Sequence, residues 1–504
     1  MSQKNKSIRI IGFKLIAGLA LASGSIPVWA ENVLTPANDG DPQAGLGLVL
    51  PRKIEAWPTN PTYLLAANST EESASGSRDA LFGDDEPALP KPGLKPEKAA
   101  PSSFGGIKGF LQLEMARTTE SPVHWSKMLT RADLSSQGNL GGGIKWKLGA
   151  RMDYDAVHSL YDFYPGAVAR DQRFNLTLRE NYMDISAGDW DFRLGKQHVV
   201  WGEMVGLFFA DVVSARDMRE FILPEFDTMR ITQWAARAEY FKDDYHAELL
   251  WIPVASYDQI GKPGAEFFPY QLQPEGVSVQ YRNEVRPPRN LSNSNYGLRL
   301  STLKSGWDIS GFAYSSMDIN PTFYRDAVSV PGTYIYQARH DRINQFGSTL
   351  AKDFGSFVLK GEMVYTRGRQ FSVVREADGN GLARQNTLDW ALGLDFTLPA
   401  DTRLNMQVYQ RTFFDHDPDL ISDKHENGYS LLLNHKFTDA LEAQATWIAS
   451  LNRTDWLFRP RVMWSFERNW RLAVGADVFK GPPLGLFGTY SGRDRVYSEV
   501  RYSF

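Results

Sequence analysis

The sequence contains no cysteine, and beyond residue 30 it has no apolar run of about 18 residues that could form a membrane-spanning helix. Without disulfide bonds, stability must come from the fold itself. Without such a run, a protein that spans a membrane through helices is excluded. The chain also has no basic excess, since its formal net charge is −4, and this argues against a nucleic-acid partner.

The amino terminus is typical of a secretory signal peptide. An apolar run at 15–26 is followed by Val28-Trp29-Ala30, which offers a small-residue cleavage site. Four basic residues belong to the same region: Lys4, Lys6, Arg9 and Lys14. Because residues 1–30 contain no acid, their removal would change the net charge from −4 to −8. We therefore expect an exported protein, either a soluble periplasmic protein or an outer-membrane barrel.

Residues 31–103 differ in composition from the rest of the chain. They contain ten prolines and an acidic, serine-rich middle at 71–86. Such a segment buries too little apolar surface to offset its ordering entropy. It is predicted to be a mostly irregular periplasmic extension, with docking of its patches 46–50 and 63–67 as the alternative.

From residue 104 to residue 504 the pattern has period two. In 144–155, apolar residues such as Trp146 and Met152 alternate with charged ones such as Lys147 and Asp153. The strands predicted in this way have about 10 to 14 residues, which suits a tilted membrane strand better than a soluble one. The pattern favours an all-β, antiparallel transmembrane barrel of the outer membrane over a soluble sandwich.

The connections between these strands alternate in length. Tight turns are predicted at 243–244, 304–305, 353–354, 399–400, 438–439 and 468–469. Long connections are predicted near 158–172, 201–231, 255–293, 318–337, 369–386, 414–427 and 480–494. This arrangement predicts about 18 strands, with 16 as the alternative, and places both termini in the periplasm. The strand near 127–136 has the weakest pattern.

The last nine residues, VYSEVRYSF, alternate and end on Phe504. This ending resembles the signal by which the barrel-assembly machinery recognises outer-membrane barrels. The 14 Trp and 21 Tyr residues also suit aromatic girdles at the two membrane interfaces, where outer-membrane lipids would surround the barrel.

If the apolar rows face lipid, charged side chains line the lumen. The predicted pore-lining cations are Lys145, Lys147, Arg151, Arg403, Arg411, Arg459, Arg461 and Arg471. Acidic residues are interspersed among them, so a solvated wall with cross-strand ion pairs is favoured over an anion-selective pore. Arg459 and Arg461 on one strand are the local exception.

The stretch 194–234 interrupts the alternation. Glu180 and Lys196 would point towards lipid under simple alternation, which predicts a β-bulge or a strand end. Residues 206–213 are apolar without periodicity, and 216–221 could form one or two helical turns. A barrel of this width needs a filler, so residues 201–231 are predicted to fold into the lumen.

Seven charged residues of this region are candidates for a constriction: Lys196, Glu203, Arg216, Asp217, Arg219, Glu220 and Arg230. They could gate a solute, or they could form a salt-bridge network that only braces the inward fold. The sequence leaves both interpretations open.

The motifs LGKQ-x-V-x-WGE, Asp211-Val212-Val213, Arg216-Asp217-x-Arg219-Glu220 and Pro224-Glu225 with Arg230-Ile231 resemble a proteobacterial outer-membrane barrel family classed as a domain of unknown function. The resemblance implies a large barrel that moves lipid-like or hydrophobic compounds. It also implies an envelope lipoprotein and an RND-type transporter as partners.

No GxSxG or HExxH motif occurs, and no cofactor is expected. The loop 415–426 has oxygen and imidazole donors, but a charge-dense extracellular loop is favoured over a metal site there. We expect a porin-like transport channel that is not an enzyme. The alternative is a barrel enzyme or a surface-binding protein that uses its long loops, notably 257–291.

Overall fold

The computed structural model describes residues 106–504 except 203, 205–209, 272, 327–331, 376–379 and 484. The predicted signal peptide (1–30) and periplasmic extension (31–103) lie outside the described residues. No helix in the described part of the chain is long and apolar enough to cross a bilayer.

Eighteen antiparallel strands form one closed barrel. In chain order they are β1 (Lys108–Thr118), β2 (Trp125–Gly141), β3 (Ile144–Asp155), β4 (Phe174–Ala187), β5 (Trp190–Gln197), β8 (Gln233–Lys242), β9 (Tyr245–Val254), β11 (Asn295–Lys304), β12 (Trp307–Met317), β15 (Arg342–Asp353), β16 (Phe357–Ser372), β17 (Leu382–Leu398), β18 (Thr402–Phe414), β19 (His425–Thr438), β20 (Leu441–Ser450), β21 (Trp456–Glu467), β22 (Trp470–Lys480) and β23 (Arg495–Ser503). Strand β1 closes the barrel because Gln112 pairs with Arg131 of β2 and with Arg501 of β23. The predicted count of 18 is confirmed, and the alternative of 16 is wrong.

Five short strands and three short helices lie outside the barrel wall. They are β6 (Ala215–Arg216), β7 (Arg230–Ile231), β10 (Ser278–Val285), β13 (Thr322–Asp326), β14 (Thr333–Arg339), α1 (Val157–Leu160), α2 (Gly166–Gln172) and α3 (Phe226–Met229). Two 3₁₀ turns occupy Leu291–Asn293 and Gly488–Tyr490. Strands β10, β14 and β13 form a small sheet whose Tyr336 and Phe323 pack in an apolar cluster with Phe268.

The two rims of the barrel differ as the sequence predicts. All six predicted tight turns are confirmed at one rim, which we call the short-turn rim. Asp243, Ser305 and Ala400 adopt φ values of 49°, 53° and 57° there, as tight hairpin turns require. The long connections meet at the opposite, long-loop rim. Because Phe110 pairs with Ser503, both ends of the barrel chain lie at the short-turn rim.

Strand extension changes two details of the prediction. The connection predicted at 369–386 covers only 373–381, because β16 and β17 continue to Ser372 and from Leu382. The strand with the weakest pattern is β2, which has 17 residues and is among the longest in the barrel.

The outer surface is apolar and exposed. Leu176, Leu298 and Val474 project from the wall with exposed fractions of 69%, 40% and 50%, which water would disfavour and lipid tails accept. Aromatic rings gather at the short-turn rim. The ring centroid of Tyr502 lies 4.9 Å from that of Trp470 and 5.9 Å from that of Phe504. The protein is therefore a transmembrane barrel of the outer-membrane type.

The charged residue Glu180 in an apolar row marks a β-bulge, as predicted. Leu148 pairs with Asn181 but Ala150 pairs with Leu178, so Arg179 and Glu180 both face one residue of β3. The extra residue reverses the alternation and allows Glu180 to reach the Lys147 ammonium group, 2.6 Å away. No bulge accompanies Lys196, which is the last residue but one of β5.

Candidate functional site

The described residues of the connection between β5 and β8, which we call the lumenal segment (residues 198–232), lie within the barrel lumen. The predicted inward-folded loop is confirmed for the described residues, which contact the inner wall. Strands β6 and β7 pair within it, with Ala215 opposite Ile231. The predicted helical turns at 216–221 are wrong, because the backbone of Asp217 and Met218 bonds to Met229 and Gln259 instead. The helix of this segment is α3, further along the chain.

The lumenal segment has an apolar side that is fully buried. Its buried apolar residues include Val199, Trp201, Val213, Met218, Phe221, Ile222, Leu223, Phe226 and Met229. They pack against inward-facing apolar residues of the wall and of the long loops, namely Ala235, Leu250, Ile252, Phe267, Phe312, Tyr314, Val364, Ala391, Tyr409, Ile448, Leu457, Phe479, Phe487 and Tyr490. Part of the inner wall is thus hydrophobic, and the lumenal segment covers it.

Trp201 anchors the beginning of this apolar side. Its indole Nε1–H donates to Glu248 Oε1 of β9 at 3.1 Å, and its ring centroid lies 5.1 Å from that of Phe312. The ring fits because Gly297 has no side chain, since a Cβ there would lie 2.5 Å from the Trp201 ring edge. The buried indole is both packed and hydrogen-bonded.

Wall side chains also hold the backbone of the lumenal segment. Glu362 of β16 accepts hydrogen bonds from the amides of Met204 at 2.7 Å and Ala210 at 2.9 Å. On the opposite side three arginines donate to carbonyl oxygens: Arg459 to Leu223 at 2.6 Å, Arg151 to Thr228 at 2.8 Å and Arg179 to Arg230 at 2.9 Å. Charged donors and acceptors make these bonds stronger than neutral ones.

Two carboxylates of the lumenal segment enter the basic part of the lumen. Glu220 lies 2.7 Å from Lys127 Nζ and 3.1 Å from Arg495 Nη1. Glu225 is shared by three guanidinium groups: those of Arg461 at 3.0 Å, Arg471 at 3.4 Å and Arg501 at 3.3 Å. Both carboxylates act as electrostatic anchors.

Asp477 of β22 connects these anchors within the wall. It is completely buried and accepts from Nε of Arg459 and from Nε of Arg495, each at 2.8 Å. Because Arg459 binds the Leu223 carbonyl and Arg495 binds Glu220, one wall carboxylate orients two contacts to the segment.

The predicted constriction residues separate into groups. Arg216 is buried beside the Asp211 carbonyl, and Arg219 pairs with Asp217 at 2.5 Å. Arg230 pairs with Asp211 and Asp227 at 3.3 and 3.1 Å, and Glu220 binds the wall as described. Lys196 shares the lipid-facing row of Leu194, so the structure does not bring it to this group. Glu203 lies outside the described residues.

The predicted pore lining also divides. Arg151, Arg459, Arg461 and Arg471 bind the lumenal segment, whereas Lys147 pairs with Glu180 and Arg411 with Asp389 at 2.5 Å. No hydrogen bond or ion pair joins Lys145 or Arg403 to the described residues of the segment. Glu225 is a binding residue that the sequence-based selection missed. Asp477 and Glu362 belong to the acidic residues predicted to be interspersed in the lumen lining, but their roles in holding the segment were not predicted. The only sequence signal for Glu225 was its place in the Pro224-Glu225 motif.

Among the described residues, one group brings metal-ligating atoms together, and the loop 415–426 was a second candidate in the sequence. Glu239, His246 and Glu248 place one atom each within 4.8 Å of one another, but Arg237 already pairs with Glu239 and Trp201 with Glu248. In the loop 415–426, Arg375 binds Asp417 and Asp419, and Arg453 binds Asp423 and Glu426. The carboxylates of this loop form ion pairs with arginines, as expected for a charge-dense loop.

Acid is expected to release the lumenal segment. Burial alone would raise the pKa of Glu220 and of Glu225, but neighbouring cations outweigh it. Lys127 and Arg495 lower the pKa of Glu220 to about 2. Arg461, Arg501 and Arg471 lower the pKa of Glu225 to about 2. Because each folded-state pKa lies below the ordinary value of 4.5, the anchoring is complete above pH 4.5 and is lost as the pH falls towards 2. We expect bilayer conductance to rise over this range. A combined Glu220→Gln and Glu225→Gln variant should lack this rise, and a wild-type profile as flat as the variant's would refute the anchoring role.

Comparison with known proteins gives a match to one family model and to several solved barrels. The family model described as "Protein of unknown function (DUF1302)" matches residues 130–504. Salmonella typhi OmpF in complex with daunomycin is similar with a TM-score of 0.41 and 10% identity, covering 80% of this chain and 97% of that chain. Acinetobacter baumannii OccAB1 has a TM-score of 0.49 and 9% identity, covering 79% and 95%. Pseudomonas aeruginosa OccK2 in complex with glucuronate has a TM-score of 0.46 and 8% identity, covering 79% and 97%. No curated protein matches the sequence.

Proposed function

The chain belongs to the DUF1302 family of proteins of unknown function, and we propose that it is a transport channel that passes lipid-like or other small solutes across the outer membrane. In this proposal the lumenal segment closes the barrel at rest, and its displacement opens the path. The predicted constriction residues act as part of the closure rather than as a filter in a permanently open pore.

The apolar inner wall beneath the lumenal segment carries this proposal. Leu250, Ile252 and Phe312 point into the lumen and have exposed fractions of 3%, 0% and 6%. A pore for hydrophilic solutes needs polar walls, because an apolar constriction expels water. A wall of this kind instead suits an apolar or amphiphilic solute once the segment has moved.

The proposal also includes an orientation of the barrel in the membrane and its partners. The short-turn rim and both termini would face the periplasm, and the strand ending at Phe504 would be recognised by the barrel-assembly machinery. The family resemblance adds an envelope lipoprotein that delivers or accepts the solute and an RND-type transporter in the inner membrane. These partners would meet the barrel at the short-turn rim.

Uptake into lipid vesicles tests the proposal. Purified barrel is reconstituted, and entry of a fluorescent amphiphile is compared with entry of a sugar of similar mass. The proposal expects the amphiphile to enter at least tenfold faster than through empty vesicles, while the sugar does not. Equal entry of both solutes would indicate a general pore, and entry of neither would refute transport.

We propose transport rather than catalysis. The alternatives are a barrel enzyme and a surface-binding protein that uses its long loops. Lipase and protease assays on the refolded barrel test the first alternative, a barrel enzyme. Activity that disappears when one loop histidine, such as His416 or His425, is changed would establish the enzyme instead.

A further inference from the structure

We propose that the three-arginine cluster beneath the lumenal segment is a binding site for the anionic head of an amphiphilic solute, and that Glu225 occupies it as an internal substitute. The inference rests on the proposed function and names its solute class. That class is an amphiphile with one carboxylate or phosphate group on an apolar chain.

The cluster has more cationic groups than wall carboxylates. Arg461, Arg471 and Arg501 come from three neighbouring strands, and the wall supplies them with Glu499, which lies 3.7, 3.1 and 3.4 Å away respectively. Glu225 of the lumenal segment is the second carboxylate. When the segment leaves, three guanidinium groups share one wall carboxylate, so the site gains a net positive charge.

The three guanidinium groups have hydrogen-bonding capacity that Glu225 and Glu499 do not use. Among the described residues, Nε of Arg461, Arg471 and Arg501 are buried and make no hydrogen bond, although Nε of Arg501 lies 3.4 Å from Glu499 Oε1. A guanidinium group binds carboxylate or phosphate best through two parallel N–H groups. A free anion can approach each arginine in this way, whereas Glu225 is restrained by its backbone.

The site adjoins a cavity that could admit the head group. Its lining includes Gln112, Lys127 and Tyr497 of the wall, together with Pro224 and Glu225 of the lumenal segment. Arg471 and Arg501 lie near the ends of β22 and β23 that form the short-turn rim. An anion would therefore reach the arginines from the rim that the proposed function assigns to the periplasm.

The lumenal segment itself has the chemical form of the proposed solute. Phe221, Ile222 and Leu223 are buried in the apolar part of the lumen, and Glu225 follows them two residues later in the three-arginine cluster. The segment thus places apolar side chains in the apolar part of the lumen and a carboxylate in the three-arginine cluster. A fatty acid or an acidic lipid could make the same two kinds of contact.

Binding of a dansyl-labelled undecanoate and of its methyl ester tests this proposal on the full-length protein in nanodiscs. Glu225→Gln removes the internal carboxylate but keeps its size, so we expect it to bind the undecanoate at least tenfold more tightly than wild type. Binding of the ester should not change. Adding Arg461→Gln and Arg501→Gln should abolish the gain. Glu275→Gln makes the same chemical change at an exposed residue of the long loop and should leave both affinities unaltered.

Dodecanoate and dodecyl phosphate, tested as competitors, show which head group the site prefers. Displacement of the labelled undecanoate by either competitor supports the site, and displacement by neither refutes it.

Equal affinity of Glu225→Gln for the acid and the ester also refutes the site. If that variant does not fold, wild type still gives an answer, because dodecanoate but not its methyl ester should increase proteolysis within 198–232. If neutral amphiphiles cross vesicles without any preference for the acid, the inference fails and the transport function stands. If the acid binds at the arginines but no amphiphile crosses, the transport function fails and the site stands.

Discussion

Replacing Asp477 with alanine is expected to destabilise the barrel by about 3–5 kcal/mol and to release the lumenal segment. Asp477 is fully buried between Arg459 and Arg495, so its removal leaves two buried guanidinium groups without their shared carboxylate. Those groups hold the Leu223 carbonyl and Glu220. Urea unfolding in lipid vesicles measures the loss of stability, and protease cleavage within 198–232 measures the release.

Asp395→Ala is the matched control for this substitution. Asp395 also lies on the inner wall and pairs with Lys360 at 3.0 Å, but no contact joins it to the described residues of the lumenal segment. We expect it to cost about 1 kcal/mol, as a partly exposed pair does, and to leave cleavage unchanged. Equal losses for both variants would show that Asp477 has no special role.

Deletion of residues 205–228 is expected to produce an inserted barrel with at least tenfold higher conductance. The eighteen strands pair with one another around a closed circle, so the wall does not need the lumenal segment for its backbone hydrogen bonds. Barrels of about 16 to 18 strands leave an aqueous channel when nothing fills them. Single-channel recording in planar bilayers gives the conductance, and a heat-dependent shift in gel mobility reports folding.

Replacement of the loop 415–424 by a short Gly-Ser turn is the control for the deletion. At the long-loop rim, Asp417 of that loop binds Arg375, Asp423 binds Arg453 and Leu420 packs on Phe371 and Phe413. No hydrogen bond or ion pair joins the loop to the described residues of the lumenal segment. Loss of the loop should leave the conductance close to that of wild type. A correctly folded deletion variant whose conductance matches wild type would show that the lumenal segment does not close the barrel.

The strand number could be predicted because alternation is a local property. Whether a side chain faces lipid or lumen depends on its position within one strand, and each turn is marked by its own residues. The bulge at Arg179-Glu180 was also visible, since a charged residue in an apolar row signals a change of phase. By contrast, the helical expectation for 216–221 failed because the bonds to Gln259 and Met229 replaced those of a helix.

The partners of the lumenal segment could not be predicted, because they are distant in the chain. Glu225 meets Arg461, Arg471 and Arg501 across more than 230 residues. The apolar inner wall did leave one signal. In β9 the run Leu249 to Ile252 does not alternate, since Leu249 and Trp251 face lipid while Leu250 and Ile252 face the lumenal segment. A strand that is apolar on both faces indicates that both faces are covered.

The central claim, that solute passes only when the lumenal segment moves, is tested most directly by a reversible tether. The chain has no cysteine, so Thr228→Cys and Arg151→Cys supply the only two thiols at a point where the segment meets the wall. A reducible bifunctional reagent joins them, and vesicle uptake of the fluorescent amphiphile is measured before and after reduction, with each single variant as control. We expect uptake to stop in the tethered barrel and to return on reduction. Unchanged uptake in a fully tethered barrel would contradict the claim.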